Sequence, residues 1–213
     1  MTAYLNEDEQ VEALKKWWKE NGTSIVLGVL LGFGAIFGWQ GWNAYRGSQG
    51  DSASNLFQAM ENLAAAGRTE AALETGKRLL GEHTGSAYAS FAALKLAQVM
   101  YAKGDKDNAA ENLQWVVSHA PDEVISDLAR LRLALVRADQ QQWDAAGTAL
   151  DAIQKDFMPG SVAELHGDIA QAKGDLDAAR KAYELALTAG GDARDSVRMK
   201  LLAIGGGTAE KSL

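Results

Sequence analysis

No cysteine occurs anywhere in the 213 residues. Disulfides, thiol nucleophiles and cysteine-based zinc sites are therefore excluded, as is lipid attachment through a cysteine. The absence is compatible with either a reducing or an oxidising compartment. Proline is almost as scarce, with two residues, Pro121 and Pro159. In an alanine- and leucine-rich chain that scarcity favours helix. Basic residues are outnumbered: the formal net charge of −7 repels a phosphate backbone and argues against a nucleic-acid partner.

Residues suited to catalysis are also few. His83, His119 and His166 lie far apart, and none has a second ligand at the spacing a metal needs. Asp105-x-Asp107 and Asp175-x-Asp177 lack the full loop, with its glycine and closing glutamate, that calcium requires. Gly32-x-Gly34 sits inside an apolar run and follows no strand, so it is no phosphate loop. No serine has a nucleophile-elbow context. The chain is expected not to be an enzyme, and to need no cofactor, metal or small-molecule substrate.

What is present begins with an apolar stretch, Ile25 to Trp42, which carries no charge across 18 positions. At a rise of about 1.5 Å per residue it is roughly 27 Å long, close to the thickness of a bilayer's hydrocarbon core. Trp39 and Trp42 suit the membrane interface. The run exceeds the apolar part of a typical cleaved signal peptide, and bulky Trp42 and Tyr45 stand where cleavage needs small residues. The reading is one permanent span over residues 25–45. Lys15, Lys16 and Lys19 precede it and only Arg46 follows closely, so the N-terminus is expected in the cytoplasm and the bulk of the chain outside. In a bacterium that is an inner-membrane protein with a periplasmic domain. Within the span, the pairs Gly28 and Gly32, and Gly34 and Gly38, offer surfaces where a second helix could pack closely; small residues are also common in membrane helices without such a role.

Residues 1–24 leave two readings open. Asn6-Glu7-Asp8-Glu9 has the form of a capping box, and Val11, Leu14 and Trp18 share one helical face. The segment is either a short interfacial helix with Trp17 and Trp18 at headgroup level, or a disordered acidic tail held by that pair. Asn21-Gly22 is expected to break the helix. Residues 46–54, RGSQGDSAS, read as a flexible connector.

Beyond the connector the chain repeats itself. Ala102 to Ala109 and Ala172 to Ala179 share the form A-K-G-D-x-D-x-A, with looser copies at Arg137 to Ala146 and Ala66 to Ala72. The aligned alanines are Ala72, Ala109, Ala146 and Ala179, spaced by 37, 37 and 33. A period in the mid-thirties with Gly-Asp at its centre is the mark of a helical-hairpin solenoid. Glycine permits the positive φ that ends the first helix, and aspartate caps the second. Leu113 and Val116, Leu150 and Ile153, and Tyr183 and Ala186 then supply the core, while Pro121 and Pro159 close two repeats. The expected helices are 54–66, 69–81, 86–103, 106–118, 122–139, 142–156, 161–173, 176–188 and 192–203, the last capping the stack.

The repeats resemble the tetratricopeptide family: Gly167, Ala179, Tyr183 and Ala186 match its small-small-aromatic-small pattern. The middle repeat departs, because Arg130 and Arg137 fall at core positions while Leu128, Leu131 and Leu135 form a stripe on the neighbouring face. Either that helix is rotated, or the stripe is an exposed groove. The repeat around Gly67 is degenerate and reads as an N-terminal cap. The expected fold is all-α: residues 1–24 interfacial or cytoplasmic, 25–45 transmembrane, 46–54 linker, 55–204 repeat domain and 205–213 disordered tail.

The order of parts, together with Asp8-Glu9-Gln10-Val11-Glu12-Ala13-Leu14-Lys15, Glu20-Asn21-Gly22, Gly38-Trp39 and Trp42-Asn43, resembles the YfgM family of ancillary SecYEG translocon subunits. The resemblance implies a place beside the secretion channel, with the SecYEG translocon and a membrane-anchored prolyl-isomerase-like chaperone as partners. It carries over no catalytic residue. The leading functional expectation is a periplasmic, chaperone-like scaffold at the channel exit that also contacts emerging clients. Phe91, Leu94, Tyr101, Leu128, Leu131 and Leu135 fall at first-helix positions that face the groove in tetratricopeptide domains, although for any single one of them ordinary core packing is the simpler reading. A structural adaptor for envelope assembly or division, binding one folded partner, is the alternative, and a cytoplasm-facing regulator is the third.

Overall fold

Little in this sequence interrupts a helix, and the described chain is helical almost throughout. The computed structural model describes residues 4–189 and 194–205. Two compact units are present, Met1–Ser52 and Ala53–Leu213. The first helix, α1 (Tyr4–Ala65), contributes to both. After it come α2 (Thr69–Glu82), α3 (Ala87–Ala102), α4 (Lys106–His119), α5 (Glu123–Asp139), α6 (Trp143–Asp151), α7 (Pro159–Ala172), α8 (Leu176–Ala189) and α9 (Arg194–Ala203). The fold is all-α, with no strand among the described residues.

In the first unit, residues Gln10–Trp42 of α1 are long and apolar enough to cross a membrane. Apart from Asn21 and Gly22, their side chains are exposed. Asn21-Gly22 does not break the helix, contrary to expectation. Asparagine and glycine cost a helix at most about 1 kcal/mol each relative to alanine. Here Asn21 Nδ2 donates to the Trp17 carbonyl at 3.0 Å, and the Trp18 ring covers Gly22. Residues 46–54 are helical too; glycine and serine weaken a helix without ending it, and no proline lies among them. The side chains of the supposed capping box, Asn6 to Glu9, lie outside the described residues, as do Asp192 and the supposed tail from Gly206 onward.

The second unit is a stack of helical hairpins. Gly104 and Gly174 each adopt φ +83°, the left-handed conformation that a side chain disfavours. Asp105 then accepts from the Asn108 N–H at 3.2 Å, and Asp175 from the Ala178 N–H at 3.0 Å, so the Gly-Asp pair ends one helix and caps the next. The third hairpin lacks both residues. Gln141 takes the left-handed position at φ 60°, and Arg137 donates to Gln140 and Gln142 across the turn. That is the structural reason an arginine stands at Arg137.

Ala72, Ala109, Ala146 and Ala179 are all buried, as are Leu113, Val116, Leu150, Ile153, Tyr183 and Ala186. Tyr183 fills the space left by Gly167. Its hydroxyl lies 2.8 Å from both Asp168 Oδ1 and Gln171 Oε1. Lys200 of α9 reaches Glu164 and Asp168, each at 2.8 Å, and so ties the last helix onto α7.

Two boundaries differ from expectation. Helix α6 stops at Asp151, and the Gln154 N–H turns to Asp127 Oδ2 of α5 at 3.2 Å. Asp127 is buried and also pairs with Arg130 at 2.6 Å, which explains the second arginine of that repeat. Pro159 does not close a repeat but opens α7, where a first-turn proline loses no hydrogen bond.

Candidate functional site

A cleft of about 560 Å³ with an apolar floor lies between α3 and α5. Helix α3 presents Leu94, Ala97, Gln98 and Tyr101; helix α5 presents Arg132, Leu135, Val136 and Asp139. Both sets follow the i, i+3, i+4, i+7 spacing of one helical face. Leu113 of α4 closes the floor. Leu94, Ala97, Leu113 and Val136 belong to one buried apolar cluster, so the floor is fixed by the core itself.

One end of the cleft is tied shut. The Tyr101 hydroxyl donates to Asp139 Oδ2 at 2.8 Å, and Lys106 at the start of α4 pairs with the same oxygen at 2.8 Å. These contacts hold the Asp139 carboxyl below its ordinary pKa, through the Lys106 and then the Tyr101 hydrogen bond. The same bonds raise Lys106 and Tyr101. Gln140 adds a 2.7 Å bond to Asp107, so α4 and α5 are joined twice at this end.

Of the six residues expected at the groove, Leu94, Tyr101 and Leu135 come together in the cleft. Leu94 is floor, 6% exposed, whereas Tyr101 and Leu135 are open at 45% and 51%. Phe91 is 42% exposed but lies elsewhere on α3, edge-on to Phe57 of α1 at 6.4 Å. Leu128 is half-buried against the α3–α5 core, and Leu131, 7% exposed, belongs to the core shared with α6 and α7. The leucine stripe of α5 is therefore divided among three surroundings, because the helix is packed on several sides. The expectation missed Ala97, Gln98, Leu113, Arg132, Val136 and Asp139. The i, i+3, i+4, i+7 set running from Arg132 to Asp139 was the available signal. In α1, Gly28, Gly32, Gly34 and Gly38 have open space where a Cβ would stand, with nothing among the described residues within 4 Å.

Among the described residues no group of histidine, aspartate and glutamate side chains is arranged to hold a metal. The cleft offers apolar area, one cation and hydrogen-bonding groups, a chemistry of contact.

Residues 15–206 match the family model described as a tetratricopeptide repeat-like domain. The chain is 35% identical over 184 residues to a protein of Escherichia coli strain K12 named ancillary SecYEG translocon subunit, covering 86% of this chain and 88% of that one. A protein of the same name from Haemophilus influenzae is 32% identical over 203 residues, or 94% of this chain and 98% of its own length. The chain belongs to the YfgM family. Both the apolar N-terminal helix and the repeat domain fall within the matched lengths, so the two parts belong to one family architecture. An N-terminal apolar helix of this kind fits a membrane-anchored protein.

Proposed function

We propose that the chain is a membrane-anchored accessory subunit of the Sec translocon, with its N-terminus in the cytoplasm and its repeat domain in the periplasm. The observation that carries this reading is the match, over 86% and 94% of this chain, with relatives named ancillary SecYEG translocon subunits. The orientation follows from Lys15, Lys16 and Lys19 ahead of the span against Arg46 behind it.

On this reading the domain works by contact. Its partners are the channel, a membrane-anchored chaperone related to prolyl isomerases, and polypeptides leaving the channel. The cleft between α3 and α5 is the contact surface for those polypeptides, because its apolar floor suits weak binding to unfolded segments.

Mild-detergent extraction of the tagged full chain tests the association. Channel subunits should co-purify with it, and their absence under conditions that keep the channel intact would contradict the role. A reporter enzyme active only in the periplasm, fused after Leu213, tests the orientation. Activity is expected, and an expressed but inactive fusion would reverse the topology.

A further inference from the structure

Arg132 stands at the open end of the α3–α5 cleft, exposed and without an ion pair among the described residues. The other charges of the cleft cancel, since Asp139 is held by Lys106. In a chain of net charge −7, this face therefore carries an uncompensated cation beside an apolar floor. The neighbouring arginines of α5 differ: Arg130 is held by Glu123 and Asp127, and Arg137 is spent on the turn glutamines. Arg132 alone of the three is left for a partner.

The dimensions limit what that partner can be. Leu94 to Tyr101, and in parallel Arg132 to Asp139, each cover about 10 Å of helix, room for about three residues of extended chain. The Asp139 carboxylate at the closed end is already paired with Lys106, and the Arg132 guanidinium at the other end is left to attract an acid. Gln98, exposed between them, can bond a passing peptide group.

We infer that the cleft selects, among the polypeptide segments it contacts, those in which an aspartate or glutamate side chain lies next to apolar residues, the carboxylate pairing with Arg132 and the apolar groups lying on Ala97, Leu135 and Val136. The inference rests on the cleft being the contact surface for polypeptides. It adds a charge preference to what would otherwise be purely apolar contact. Guanidinium and carboxylate form a bidentate pair, so the preference is specific in geometry as well as in sign.

The test is fluorescence anisotropy with the full chain in lipid nanodiscs, empty nanodiscs serving as background. The probes are short capped peptides with leucines on both sides of a central aspartate, asparagine or lysine. The aspartate peptide should bind about five- to tenfold tighter than the asparagine peptide at low salt, with the difference shrinking as salt rises. Arg132→Gln should erase that difference, and Arg132→Glu should transfer the preference to the lysine peptide, a gain that an unfolded variant could not show. Equal binding of the aspartate and asparagine peptides, or a preference that survives Arg132→Gln, would overturn the charge selection and leave the apolar cleft standing. Failure of every peptide to bind would overturn both, without touching the association with the channel.

Discussion

A Cβ placed on Gly167 would fall 2.5 Å from Cδ1 of Tyr183, so the glycine of α7 and the tyrosine of α8 occupy one another's space. This contact joins the last hairpin to its cap through Asp168 and Lys200. Gly167→Ala should destabilise the chain by about 1–3 kcal/mol, the cost of forcing extra volume into a filled core. Gly147→Ala, in α6 with open space at its Cβ position, should instead stabilise by about 0.5–1 kcal/mol by removing backbone freedom from the unfolded chain. Thermal unfolding followed by circular dichroism separates the two signs.

Tyr183 also sets an alkaline limit. Burial, with the Asp168 hydrogen bond and charge, raises its pKa above the ordinary tyrosine value. The folded state therefore holds this proton at pH values where the unfolded state has released it. The resulting stability is fully present below the unfolded pKa of about 10 and declines as pH rises beyond it. Denaturant titrations at successive pH values should show that decline, and Tyr183→Phe should flatten it, at a cost of about 1 kcal/mol near neutrality.

Asp139 makes the opposite contribution at the acid end. Its depressed pKa, caused by Lys106 and Tyr101, means that its bonds stabilise the fold above the unfolded carboxylate pKa of about 4 and are lost as pH falls through the folded value. The pair is exposed, so the effect belongs to the closed end of the cleft more than to global unfolding. Protection of the α4 N-terminal amides from hydrogen exchange, taken relative to the intrinsic rate at each pH, should fall on acidification, and Asp139→Asn should lower it already at neutral pH.

Asp127 is the buried acid on which the end of α6 depends. Asp127→Ala would strand the Gln154 N–H and remove one of the carboxylates from Arg130, with an expected loss of about 2–3 kcal/mol. Asp127→Asn keeps an acceptor for Gln154 and should lose less. Equal losses in the two variants, measured by urea denaturation, would show that the backbone bond contributes nothing.

The hairpins were legible because their signals are local. Gly104-Asp105 and Gly174-Asp175 each end one helix and begin another within two residues, and the alanines at Ala109 and Ala179 mark the faces that pack. Where the sequence misled, the deciding partner lay elsewhere or the penalty was too small. Asn21-Gly22 and the segment after Arg46 carry poor helix formers but no proline, and a weak propensity does not break a helix already running through them. The end of α6 depends on Asp127, distant in sequence, and no periodicity within residues 142–156 could reveal it. For the cleft, the tetratricopeptide resemblance placed Leu94, Tyr101 and Leu135 at groove-facing positions. It could not give the side-by-side register of α3 and α5, which brings Asp139 to Tyr101 and leaves Arg132 open. Leu131 was misplaced for the related reason that α5 contacts two hairpins, so its apolar positions serve more than one core.

The most direct test of the account is photocrosslinking from position 98, on the cleft, during active secretion in cells, with exposed Lys77 on α2 as the control position. Crosslinks to nascent secreted chains should form at position 98 and be scarce at position 77. Leu135→Asp should reduce them several-fold without loss of helicity, because a charge beside the apolar floor opposes burial of client side chains. Equal crosslinking from both positions, or a signal unmoved by Leu135→Asp, would contradict a contact surface between α3 and α5.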